Sequence, residues 1–411
     1  MMMLTCGRCM GGARYPAVPA SRALTTFAAV QHAPRIAFLT TTDPNDRRSW
    51  SGIHAVMLDE LRRRFEAVVP VGPFDGGTAL LGGCLLNRAL FAATGKRFDY
   101  AHGDRLVRHY APLVKERLRR AHADLVIAPA ATALLAGPDL GMPFIFLSDT
   151  TSANMLDYYE SYADLSSWSK RQSLRNESAA IQRSAFAVFP SDWAAASAVR
   201  DHGARPEQVA VVPFGANFKS IPSAAEALGE RPLGELRLLF LGVDWERKGG
   251  PLVLETVKQL RSAGVPVRLT IAGVVPPIEA SEHIDVIPFI DKNTSDGERR
   301  IQALMLSHHF LFVPARAECY GIVFCEAAAC GLPSIARLTG GVAGALVDSV
   351  NGRLLPPDAG AADYAEVMCS LWANQGEYSA LQRSARRLFE TTHNWKHWGD
   401  RMEALIASVL R

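Results

Sequence analysis

Long hydrophobic runs are missing from this sequence. Its apolar stretches are broken by proline, glycine or a charge well short of ~18 residues, and the run from Leu125 stops at Asp139, so no transmembrane helix is expected. One-sided charge is missing too. The 44 Lys and Arg stand against 41 Asp and Glu, and Arg8, Arg14, Arg22 and Arg35 all precede the first acid, Asp43. The excess therefore belongs to a basic start and not to the body, which gives no support for a nucleic-acid partner. Cysteine is sparse: seven residues, an odd number, are scattered over 411, as expected of reduced thiols in a cytosol-like compartment. Cys6 and Cys9 form C-x-x-C, but no second pair follows at zinc spacing and no βαβ context surrounds it. Short-period repeats and low-complexity tracts are absent as well.

Apolar residues make up 48% of the chain and charged residues 21%, which excludes wholesale disorder and supplies sizeable cores. The length suggests two or three domains. Residues 1–34 are rich in Ala, Arg, Gly and Pro. Arg22 and the prolines interrupt any secretory h-region, and an Arg-bearing, acid-free start also resembles a transit peptide. The expectation is a disordered extension or a mis-assigned start.

From Arg35 onward, short β-branched or aromatic runs alternate with amphipathic stretches. Strands are expected at Arg35–Thr41, Ala67–Val71, Leu125–Ala128, Phe144–Leu147, Phe186–Phe189 and Val209–Val212, with helices such as Gly52–Arg64 and Leu106–Arg120 between them. Residues 217–235, with Pro and Gly and no sustained period, read as a linker. The alternation then restarts with strands at Leu236–Gly242, Val267–Ala272, Ile284–Pro288, Phe310–Val313 and Ser334–Ala336. Helices are expected at Pro251–Arg261, Asp296–Leu306, Tyr320–Cys330 and Trp395–Leu410. This is α/β: two units of βαβ type with parallel sheets, whose ligands should sit outside the carboxyl ends of the strands.

Three segments follow strands and carry chemistry. In Trp50-Ser51-Gly52-Ile53-His54, a Gly before a helix lets a phosphate approach the backbone; an ordinary turn with Ser51 as N-cap reads equally well. The first strand lacks G-x-G-x-x-G, which argues against a dinucleotide-binding dehydrogenase. In Asp244-Trp245-Glu246-Arg247-Lys248-Gly249-Gly250, two adjacent cations at a strand end suit a diphosphate, or simply a solvated turn. In Glu318-Cys319-Tyr320-Gly321-Ile322-Val323-Phe324-Cys325-Glu326, two carboxylates eight residues apart suit neutral hydroxyl donors such as sugars; alternatively the second is a buried, satisfied Glu.

The E-x7-E pair Glu318 and Glu326, with the following EAAACGLPSIARLTGGVAGALVDSVNGRLLPP, resembles the retaining family-4 glycosyltransferases (glycosyl transferases group 1) of the GT-B fold. FLGVDWERKGGPLVLETV, LTIAGV, SDW at 191–193 and VVPFGAN at 211–217 match in order and spacing. The resemblance is strong over Leu236–Pro357 and looser before it.

It implies two facing Rossmann-like domains with the interdomain cleft as active site. These are an acceptor domain at 35–216, a nucleotide-sugar donor domain at 236–390, and a terminal helix at 391–411 that crosses back. Arg247 and Lys248 would bind the donor diphosphate, Glu318 the transferred sugar or the reacting centre, and Glu326 the ribose. Tyr320, the backbone of Gly321, Ile322 and Val323, and Gly52 would meet the donor, and Ile290 the base. Many relatives place a His after an N-terminal-domain strand; here FIFLSDTTSANM offers Asp149, which with His54 is the candidate on the sugar or acceptor side.

The implied substrates are a UDP- or GDP-sugar donor and a saccharide, lipid or small-molecule acceptor. The resemblance alone implies transfer with retention; no cofactor is expected, and no metal, since no D-x-D-like pair follows a strand. A nucleotide-sugar epimerase and a non-catalytic two-lobed sugar-binding protein are the alternatives. The expected place is the cytoplasm. The basic helix Leu106–Arg120 suggests a peripheral contact at the inner membrane face, or an ordinary solvated face.

Overall fold

The apolar runs pair in parallel throughout. The computed structural model describes residues 33–137, 139–279 and 281–411; the expected N-terminal extension, with Cys6 and Cys9, falls outside them except for Ala33 and Pro34. The first sheet contains β1 (Arg35–Leu39), β2 (Ala67–Val71), β3 (Leu125–Pro129), β4 (Phe144–Leu147), β5 (Phe186–Phe189) and β6 (Val209–Val211), in the order β2-β1-β3-β4-β5-β6. The second contains β7 (Leu236–Leu241), β8 (Val267–Ala272), β9 (Ile284–Ile287), β10 (Phe310–Val313), β11 (Ser334–Arg337) and β12 (Gly352–Leu355), in the order β12-β11-β10-β7-β8-β9. The central strands are buried on both faces, as in β3 and β10, which is why they read as continuous apolar runs without alternation.

Strand order decides where chemistry can gather. In the first sheet the order reverses between β1 and β3, and in the second between β7 and β10. A parallel sheet opens a crevice at such a switch point. The loops after β1, β7 and β10 are the ones that carry Trp50–Gly52, Arg247–Lys248 and Glu318.

Two expectations need correction. The strand β12 was not foreseen: GRLL is short, half polar and at the sheet edge, and its Gly352 lies where a Cβ would overlap the Ser334 carbonyl. The helix expected at Tyr320–Cys330 begins only at Ile322, because Gly321 takes a left-handed φ of 85° ahead of it.

The terminal helix Trp395–Val409 packs back onto the first lobe. Arg64, on the first lobe, pairs with Asp400 at 2.8 Å and Glu403 at 2.9 Å and donates to the Lys396 carbonyl. The Asn217 side chain ties the lobes' junction together, donating to the Ser51 carbonyl at 2.8 Å and accepting from the Trp395 indole at 2.9 Å. One apolar cluster runs from Ile36 and Phe38 through Phe214 to Phe324, Trp395 and Trp398, so the two lobes share a core.

Candidate active site

The cationic turn after β7 is built by its glycines. Gly249 has φ 84° and sits so close to the Pro314 carbonyl that a Cβ would come within 2.3 Å of it, and the Trp245 ring covers Gly250. The chain therefore folds tightly against β10's exit loop, and this brings Arg247 and Lys248 to Glu318. The Lys248 ammonium pairs with the Glu318 carboxylate, and Arg247 Nη1 lies 3.5 Å from the same oxygen. Asp244 accepts from Arg247 Nε at 3.1 Å, and the Ala317 carbonyl accepts from Nη1 at 3.0 Å, so the guanidinium is held from three sides.

Glu326 is nearly fully buried on the helix Ile322–Ala329, whose start is set by Gly321. A carboxylate there needs a partner. Lys292, from the loop after β9, supplies it at 2.9 Å. Sequence reading missed Lys292, since a single Lys in IPFIDKNTSDG follows no spacing rule. Its only signal was indirect, the unpaired Glu on an apolar helix.

Opposite stands the loop after β1. Trp50 (φ 45°), Ser51 (φ 56°) and Gly52 (φ 84°) are three successive left-handed residues, and for the first two this costs about 1–2 kcal/mol each. Gly52 is the N-cap of the helix Ile53–Arg62 and no side chain caps it, so the reading of Ser51 as N-cap is corrected. The strained turn is held by Asn217 on the Ser51 carbonyl and by the Trp50 indole, which donates to Asp149 at 3.2 Å and meets the Phe214 ring edge-on at 5.7 Å. A narrow crevice is lined by Arg47, Ser51, Gly52 and Asn217 from one side and by Lys292 and Asn293 from the other.

Burial pushes the Asp149 carboxyl up to about 6, the Glu318 charge adds to the rise, and the Trp50 N–H opposes it. His54 lies against Trp50, with ring centroids 5.1 Å apart; burial pushes its imidazole down to about 4, so it is neutral. The Tyr320 hydroxyl donates to the Phe214 carbonyl at 3.2 Å. The side chains of His54 and Tyr320 are 3% and 2% exposed and pack beneath the cleft. Ile290, Ile322 and Val323 are half-buried against the shared core.

Two further residues reach across. The Tyr158 hydroxyl accepts from the Glu318 N–H at 2.9 Å and bonds the Thr339 hydroxyl at 2.8 Å, and the Tyr159 ring lies under the Arg247 guanidinium at 5.3 Å. The adjacent tyrosines of the first lobe thus grip the loop of Glu318 and the side chain of Arg247. Nothing in their spacing announced this. Among the described residues, no group of three or more His, Cys, Asp or Glu is placed to hold a metal ion, and the described cysteines are free.

The cleft unites fixed cations, paired carboxylates and a helix start between two parallel-sheet lobes, which is the GT-B architecture. Residues 235–374, within the second lobe, match the family model described as Glycosyl transferases group 1. Among curated proteins, a D-inositol 3-phosphate glycosyltransferase of Xylanimonas cellulosilytica is 29% identical over 212 residues, 46% of this chain and 48% of the relative. One from Mycobacterium marinum is 27% identical over 244 residues, 54% and 49% of the two chains. The chain thus spans about half the length of the curated relatives it matches. Among solved structures, Anabaena HepE in complex with UDP superposes with a TM-score of 0.63 at 15% identity, covering 91% of this chain and 100% of that one. Sucrose-phosphate synthase from Thermosynechococcus elongatus gives 0.64 at 16% identity, covering 92% and 99%.

Proposed function

We propose that this chain transfers a sugar from a nucleotide-diphosphate sugar, UDP- or GDP-linked, to a saccharide, lipid or small-molecule acceptor, with retention and without a metal. The observation that carries the reading is the convergence of Arg247, Lys248 and Glu318 at the second sheet's switch point, within the segment that matches the glycosyl transferases group 1 model. A departing nucleotide diphosphate gains negative charge as the glycosidic bond breaks. Cations already fixed in place stabilise that charge without reorganising, and one such donor is typically worth ~3 kcal/mol.

In the ligand-free cleft Glu318 neutralises Lys248. An entering diphosphate would take over the ammonium and release Glu318 toward the sugar hydroxyls. Lys292 would hold Glu326 ready for the ribose, and the backbone at Gly52 and Gly321 would admit phosphate oxygens. Asp149, on the opposite wall, would face the sugar or acceptor. Retention follows the family resemblance and a front-side course.

The test is a thermal-shift panel of UDP, GDP and ADP with their sugars, followed by donor turnover with the nucleotide that binds. One base should raise the melting temperature through mass action, and its sugar should be consumed. If no nucleotide shifts the protein, the reading fails. Turnover that yields only an epimer of the donor, with no acceptor product, would move the protein to the epimerase alternative.

A further inference from the structure

The carboxyl edge of the first sheet carries an open aromatic face that the donor groups do not use. Trp168 stands in the first turn of the helix Ser167–Arg183, which leads into β5 and therefore starts on the same edge as the Asp149 loop after β4. One face of its indole stacks on the buried Phe98 ring, with centroids 4.9 Å apart and planes 7° from parallel. Trp168 is nevertheless 48% exposed, so the other face is open to solvent. Single apolar side chains on a surface are ordinary, but a ring held flat by a buried ring beneath it is a preformed platform.

Polar groups lie between this platform and the cleft. The Phe98 ring reaches Gly103, where a Cβ would come within 3.1 Å of Cζ, and the buried Ser169 hydroxyl accepts from the Asp99 N–H at 2.8 Å. Asp99 in turn holds His102. Its carboxylate accepts from the imidazole Nδ1 at 2.9 Å and from the Ser173 hydroxyl at 2.7 Å. Burial works against charge on this imidazole, yet Asp99 outweighs it and His102 is pushed up to about 9. Nε2 therefore carries a proton. It has no hydrogen-bond partner among the described residues, and the side chain is 28% exposed. With one nitrogen fixed by a carboxylate, the other is an aimed donor. The Tyr162 ring follows, 6.5 Å from His102. Burial and the neighbouring Asp99, Glu177, Cys319 and Asp149 push its phenol up, so it remains a hydroxyl on the way to Asp149.

Sugars fit this succession of groups. The C–H face of a pyranose is weakly positive and packs on the negative face of an aromatic ring, while the hydroxyls at its edge need fixed donors and acceptors. An acyl chain would cover Trp168 but leave the His102 proton and the Tyr162 hydroxyl without partners. We propose, on the sugar-transfer reading above, that Trp168 and His102 bind the further sugars of a saccharide acceptor whose reacting sugar lies at Asp149. The acceptor is then an oligosaccharide or polysaccharide chain. Trp168 stacks on one ring, and His102 Nε2 and the Tyr162 hydroxyl bond to hydroxyls of the ring between.

The experiment is binding of the full chain to an array of mono- to hexasaccharides of glucose, galactose, mannose and N-acetylglucosamine, followed by titration of the best binder. At least one trisaccharide or longer chain should bind, roughly tenfold more tightly than its monosaccharide. Trp168→Leu, which still covers Phe98 but has no aromatic face, and His102→Gln should each weaken that binding roughly tenfold. Trp168→Tyr should regain most of the loss. The melting temperature, and its shift with UDP or GDP, checks that each variant is folded with its donor lobe intact. No saccharide binding, equal affinity for mono- and oligosaccharides, or undiminished binding by both Trp168→Leu and His102→Gln overturns the proposal. A nucleotide shift without saccharide binding would remove this subsite and leave the transfer reading standing. Saccharide binding without a nucleotide shift would keep the subsite and remove the transfer reading.

Discussion

In the second lobe the cleft-facing groups carry permanent charge locked in pairs, Arg247 and Lys248 on Glu318 and Lys292 on Glu326. In the first lobe burial disfavours the charge of the comparable groups: Asp149 is pushed up to about 6 and His54 down to about 4. The backbone differs likewise. The second wall rests on glycines where left-handed φ is needed, at Gly249 and Gly321, whereas the first forces Trp50 and Ser51 into that region and holds them there from outside. A wall of fixed charge suits a diphosphate, which is the same in every donor. A wall of tunable, strained groups suits whatever differs between substrates.

The comparison can be broken at several points. The largest effect is expected at Gly249→Ala, where the new Cβ meets the Pro314 carbonyl and φ is wrong for it. A loss of about 3 kcal/mol in urea unfolding is expected; a neutral result would mean that the second wall is not built rigidly. Next, Lys248→Ala and Glu326→Ala should each lower donor turnover at least tenfold, about 1.4 kcal/mol, while turnover like that of the parent in both would take the charge pairs out of the reaction.

Tyr158→Phe keeps the ring but removes the acceptor of the Glu318 N–H. It should cost about 1 kcal/mol, read as a roughly fivefold fall in kcat with little change in KM. A change in KM alone would make the tyrosine a binding contact and not a positioning residue.

The smallest effect concerns Asp149. Its folded carboxyl holds its proton more tightly than the unfolded one, so its contribution is full below about pH 4 and is lost as the pH rises through about 6. Asp149→Asn should therefore gain about a degree or two in Tm relative to the parent between those values and keep that gain above them. A difference that does not change with pH would mean that Asp149 titrates alike in the folded and unfolded chain.

Much of the second lobe was legible in the residues. Strands β8 and β10 end where the apolar runs end, the Arg-Lys turn and Glu318 stand in loops after strands, and Glu326 lies on the helix that follows. Lys292, Tyr158, Tyr159 and Asn217 were not legible as partners. Each reaches its target from a distant part of the chain, Tyr158 across 160 residues to Glu318 and Asn217 across 166 to Ser51, and pattern reading sees only neighbours in sequence. The burial of His54 and Tyr320 was not legible for the related reason that a polar side chain near a strand end looks alike in sequence whether it points outward or into the packing.

The order of residues by itself determined the parallel α/β character, the two units and the position of the cations at a strand end, because periodicity and strand ends are local properties. Which loops meet was decided only by tertiary structure. The reversal of strand order between β7 and β10 sets the Arg247–Lys248 turn beside Glu318, and the packing of the lobes on a shared core brings Trp50 and the paired tyrosines to face them. Long-range burial selects those contacts, and it leaves no period in the chain.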